Sequence, residues 1–167
     1  MGRSFDPEAV LAMPLMANLA TLSPDGPRNA PVWFLWETGA LWLLGSAEGR
    51  SVVRLRSDPR CAVEIVHFDN PGGVLLHLGC RGIAEVLPMD ADLFRRLLCK
   101  YLGPDQTAWN PWFIASIAAI DDPDGRLIRL VPDSVFINNV SYFRTGPALA
   151  WPSPQGGGTF PPGPEGR

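Results

Sequence analysis

Residues 19–66 read LATLSPDGPRNAPVWFLWETGALWLLGSAEGRSVVRLRSDPRCAVEIV, and the punctuation of this stretch decides the fold. Ser23-Pro24-Asp25-Gly26 is a turn, with proline presetting φ and glycine closing the bend. Glu37-Thr38-Gly39 makes the next one. Around them stand apolar runs at 15–22, 30–36 and 40–44, rich in aromatic and β-branched residues that suit a pleated surface. Two hairpins in so short a span predict an antiparallel meander. Val52 and Leu55 then share one face of a short helix over 52–57, which Pro59 stops. A further strand is expected over 60–68.

Working outward, Asp6-Pro7-Glu8 has an N-cap residue followed by proline at the first helical position, opening a helix to about residue 11. Downstream, Asp69-Asn70-Pro71-Gly72-Gly73 turns into a long strand over 74–87, bent at Gly79 or Gly82. Leu93, Leu97 and Tyr101 repeat at helical spacing over 91–102, and Gly103-Pro104 ends that helix. A second helix is expected over 107–120, with Pro111 weakening its start, followed by a sixth strand at 126–131, with 134–137 a candidate seventh. The fold class is mainly β (α+β): a six-stranded antiparallel small closed β-barrel with inserted helices, rather than an open sheet.

The chain has 167 residues, 46% of them hydrophobic, which suits one packed domain over 1–150. Proline and glycine crowd the end, so 151–167 is expected to be a disordered tail. Fourteen basic against 17 acidic residues give a net charge of −3, without the basic surplus of a nucleic-acid binder. No apolar run is long enough for a membrane span. Asp6 and Glu8 interrupt any signal peptide, so a cytoplasmic protein is expected. Cys61, Cys80 and Cys99 lack CxxC spacing and stand in apolar settings, which predicts inert thiols. His67 and His77 are the only histidines, and no metal site is expected. GxSxG, P-loop and GxGxxG motifs are absent. Lys100 is the only lysine and so the sole candidate for Schiff-base chemistry.

Two stretches carry chemistry. In 45–60 a small-residue loop opens a helix with Arg50 and Ser51 in its first turn, Ser46 placed to cap it, and Arg50 and Arg54 four apart on one face. Unpaired N–H groups, two guanidinium groups and two hydroxyls would suit a phosphate monoester. A solvated basic helix with an ordinary cap is the alternative. The second stretch is aromatic. Phe34 and Trp36 share one strand face and Trp33 takes the other, so one face is core; the other is a dimer interface, a flavin platform, or core packing with one exposed ring. Trp109, Trp112 and Phe113 wall a substrate pocket or cap the barrel.

The order of elements resembles the pyridoxamine-phosphate-oxidase-like family, the FMN-binding split barrels. The matching pieces are Leu19-Ala20-Thr21 before the Asp-Gly turn, Pro31-Val32-Trp33-Phe34, the small-residue loop, Arg50-Ser51, Leu55 through Asp58-Pro59-Arg60, and Gly82-Ile83-Ala84-Glu85. They span about 15–102. The resemblance implies a split-barrel homodimer with FMN across the subunit interface, acting as an oxidoreductase on a small molecule. It places the isoalloxazine edge along Asn29, Ala30, Pro31, Val32 and Phe34, the phosphate at Ser46, Arg50 and Ser51 with Arg54 beside them, and His77 near the flavin. Relatives that bind a deazaflavin coenzyme or haem, or that bind flavin without turnover, are the alternatives. Ser51 and Phe34 stand where the vitamin-pathway oxidases carry lysines. Asn138 falls near their flavin-contacting tryptophan, and Arg144 is the only nearby candidate for their substrate-phosphate arginines. These departures imply a substrate other than pyridoxamine phosphate.

Overall fold

The computed structural model describes residues 5–69, 71–118 and 123–141; the expected tail, 151–167, and Arg144 lie outside them. In chain order the elements are α1 (Pro7–Ala12), β1 (Ala17–Ser23), β2 (Gly26–Val32), β3 (Phe34–Glu37), β4 (Ala40–Ser46), α2 (Arg50–Ser57), β5 (Arg60–Asp69), β6 (Val74–Pro88), α3 (Ala91–Leu102), α4 (Pro111–Ala118), β7 (Gly125–Leu130) and β8 (Ser134–Asn139). The eight strands pair antiparallel in the order β2-β1-β5-β6-β7-β4-β3, with β8 on β6.

The strand count exceeds the expected six, and the main reason is one residue. The run expected as a single strand over 30–36 is β2 and β3, parted at Trp33. β2 is one end of the strand path and β3 the other, so the sheet is not closed by hydrogen bonds but by the chain itself turning at Trp33. Backbone groups at such a corner lose their ladder partners and need others. Helix α3 supplies them. The Phe34 N–H donates to the Tyr101 hydroxyl (3.0 Å), whose O–H in turn donates to the Leu15 carbonyl (2.7 Å). Lys100 Nζ donates to the carbonyls of Phe34 (3.1 Å) and Leu11 (2.8 Å) and sits 3.4 Å from the centre of the buried Phe34 ring. Trp33 itself, half-buried, stacks on Tyr101 (centroids 4.5 Å apart) and on Phe113 (5.6 Å).

β6 serves both halves of the sheet. Val74 to Ile83 pairs with β5, Leu76 to Arg81 with β8, and Ala84 to Pro88 with β7. The handover falls at Gly82, where a Cβ would stand 2.8 Å from the Val131 carbonyl oxygen; of the two expected bend sites, this is the crowded one. Alternation along β1 buries Ala17, Leu19 and Thr21. Val63 and Ile65 of β5, Leu78 and Cys80 of β6, Leu41 and Leu43 of β4 and Phe34 join them in one core, which Val52 and Leu55 of α2 complete. The helix expected over 107–120 is a 3-10 turn, Gln106–Ala108, followed by α4. Asn110 Oδ1 accepts the Trp112 N–H (2.9 Å) and Pro111 cannot donate, so the helix restarts there.

Burial lowers the Lys100 ammonium from its ordinary 10.5 to about 7. Its Nζ is held by two backbone carbonyls. The shift has a sign. Between pH 7 and 10.5 the unfolded lysine keeps a proton that the folded one has lost, so stability rises with pH in that window and the cost is fully present below it. Urea unfolding at pH 7, 8 and 9 is expected to show this rise in the native chain and not in Lys100→Met. Equal slopes would refute it.

Candidate functional site

The end of β4 and the start of α2 build a cavity of about 390 Å³. Its loop is tied down from several sides. The Ala47 N–H donates to the Asp124 carbonyl (2.7 Å), the Gly49 N–H to the Ser46 carbonyl (2.9 Å), and Arg56 Nη1 to the Ala47 carbonyl (3.2 Å). Two glycines are required here. A Cβ on Gly45 would lie 2.6 Å from Val52 Cγ2, and one on Gly49 2.8 Å from Ser46 Oγ. Gly45 therefore lets α2 seat against β4, and Gly49 lets the loop fold back on itself.

Gly49 is the N-cap of α2, and no side chain caps the helix, so the expected cap by Ser46 is not formed. The first intrahelical bond runs from the Val53 N–H to the Gly49 carbonyl (2.9 Å). The N–H groups of Arg50, Ser51 and Val52 precede it and have no partner within the helix. All three residues line the cavity, with Ser46, Arg54, and Arg28, Asn29 and Ala30 of β2. Three arginines line this space, and among the described residues no carboxylate does. Arg54 donates from Nε to the hydroxyl of Thr21 (2.8 Å), the buried polar side chain of the core, and from Nη2 to Ser51 Oγ (3.4 Å). Arg28 donates to the Pro27 carbonyl (3.1 Å) and reaches Asp25 at 3.5 Å. Arg50 is exposed and, among the described residues, its guanidinium makes no hydrogen bond or ion pair. A helix start of this kind attracts anions, and guanidinium groups favour phosphate or carboxylate oxygens.

A second, larger depression of about 620 Å³ lies on the outer face of β1, β5, β6 and β8, and Asn29 lines both. His77 stands in it, its Nε2 2.7 Å from Glu64 Oε1 and its ring edge-on to Phe136 at 5.5 Å. Asn138 is its cross-strand partner on β8.

The expected site residues thus divide. Asn29, Ala30, Ser46, Arg50, Ser51 and Arg54 meet at the smaller cavity, while His77 joins Asn29 at the larger. Pro31 is exposed on the same outer face beside Asn18. Val32 is half-buried against the core, and Phe34 is fully buried within it, lining neither space. Sequence reasoning missed Arg28, which follows the Asp-Gly turn, and Arg81, which alternation along β6 places on the face of His77. Cys80 is buried, and burial lifts its thiol and that of Cys61 to about 11.

No family model matches the sequence, and no curated protein is similar enough to match it. Solved structures do share its fold. A conserved hypothetical protein from Mycobacterium tuberculosis superposes with a TM-score of 0.69 at 19% identity, covering 93% of this chain and 96% of that one. An F420 reductase gives 0.60 at 24%, covering 80% and 98%. A candidate pyridoxamine 5'-phosphate oxidase from Listeria innocua gives 0.53 at 20%, covering 78% and 93%. The fold is the split barrel of the pyridoxamine-phosphate-oxidase-like proteins.

Proposed function

We propose that the chain is a homodimeric flavoprotein that binds FMN and passes hydride or electrons to a small organic molecule. The observation that carries this reading is the cationic cavity at the start of α2. Arg28, Arg50 and Arg54 converge there with two hydroxyls and free backbone N–H groups, and through Asn29 it runs on into a broad depression. An anionic end joined to an open face fits a ring system that carries a phosphate. Arg50, Ser51, Ser46 and Arg54 would hold the phosphate, Asn29, Ala30, Pro31 and Val32 the ring edge, and Phe34, buried at the start of β3, would fix the corner at Trp33. Once bound, the flavin supplies the redox chemistry, and the protein supplies position and field.

The homodimer rests on exposed apolar side chains around the larger depression. Val66, Phe68 and Ile83 are 37–62% exposed on one sheet face, where a second copy would remove them from water. The likeness to an F420 reductase favours a deazaflavin reductase as the second reading, since that coenzyme offers the same cavity an anionic tail. The test is the visible spectrum of the purified chain, alone and after separate addition of FMN, the deazaflavin coenzyme and haem. A retained flavin spectrum is expected. Binding of deazaflavin alone would transfer the reading to the reductases, a Soret band to haem proteins with His67 or His77 as axial ligand, and binding of none would overturn it.

A further inference from the structure

The larger depression has its own chemistry. Strand register lays its residues out in rows: Asn29, Ala20, Ala62, Arg81 and Ser134 lie across five strands, and Pro31, Asn18, Glu64, Gly79 and Phe136 across the same five. Ala20, Ala62 and Gly79 put nothing above Cβ, so the floor is open at these positions. Strands stand about 4.8 Å apart, and three such steps separate Asn29 from Arg81, giving a floor about 14 Å across. Phe136 forms an apolar wall, 56% exposed.

The polar groups on this floor differ from those of the smaller cavity. Glu64 is turned to His77, one row from its own position and away from Arg81. The Arg81 guanidinium, among the described residues, has no hydrogen bond or ion pair, and the side-chain amides of Asn18 and Asn29 have none either. One unpaired planar cation, the Ser134 hydroxyl on the neighbouring strand and an open floor with an aromatic wall describe the complement of a planar monoanion. A guanidinium fork matches a carboxylate with two parallel hydrogen bonds.

We infer that this depression binds a planar carboxylic acid, its carboxylate on Arg81 and its ring against Phe136. The inference rests on the flavin reading only in calling that molecule the substrate. Benzoate and its neutral counterpart benzamide, titrated into the full chain with and without FMN and followed by backbone amide shifts, test it. Benzoate is expected to move the Ala62, Gly79 and Arg81 signals and to bind at least tenfold more tightly than benzamide. Arg81→Gln, an exposed change, is expected to remove that preference and leave the FMN dissociation constant within twofold. Equal binding of the two probes, no binding of either, unchanged benzoate affinity in Arg81→Gln, or shifts confined to Arg28, Arg50 and Arg54 would each overturn the inference. A chain that binds benzoate here but no flavin leaves this site standing and ends the flavin reading.

Discussion

Replacing Arg50 with alanine is expected to raise the FMN dissociation constant about ten- to a hundredfold, with no loss of folding stability. A charge-assisted contact contributes about 1.5–3 kcal/mol, and each 1.4 kcal/mol is about a factor of ten. Arg50 is the right residue for this test because its guanidinium has no partner of its own among the described residues. Arg54 is not, since its Nε satisfies the buried Thr21 hydroxyl; removing it would strand that group and mix a stability loss with a binding loss. Titration by flavin fluorescence, paired with urea unfolding, reads both quantities. Unchanged affinity in Arg50→Ala would move the phosphate away from the start of α2.

The second large effect is structural. Tyr101→Phe is expected to destabilise the fold by about 2–6 kcal/mol, since two backbone groups lose their partner at about 1–3 kcal/mol each. The orphaned groups are the Phe34 N–H and the Leu15 carbonyl. The ring survives in the variant, so the stack on Trp33 is kept and the effect belongs to the hydroxyl. Equilibrium unfolding measures it, and a change under about 0.5 kcal/mol, the range of ordinary surface substitutions, would mean that the corner finds its hydrogen bonds elsewhere.

This corner also marks where the sequence stops being readable. The hairpins, the Pro59 stop and the helix over 91–102 were legible because turn and stop residues act on their immediate neighbours. The loop before α2 was legible for the same reason, its glycines and arginines being local. Nothing near Trp33 announces a break, because the groups that permit it come from Tyr101, 67 residues away from Phe34, and from Lys100, 66 away. Alternation therefore ran straight through 30–36 and gave one strand where the barrel needs two. Ser46 has the composition of a cap, but Gly49 takes that place because the loop folds back one turn later than its residues alone suggest. Arg81 shares the face of His77 by simple alternation; what alternation cannot supply is the register that sets Ala20, Ala62 and Gly79 in one floor.

The start of α2 is the proposed seat of a phosphate, and the comparison of FMN with riboflavin tests that most directly. The two ligands share the ring and differ in the phosphate. With the native chain, FMN is expected to bind about a hundredfold or more tightly than riboflavin, from two charge-assisted contacts at about 1.5–3 kcal/mol each. Riboflavin binding as tightly as FMN would contradict the account, because the cationic cavity would then contribute nothing to recognition.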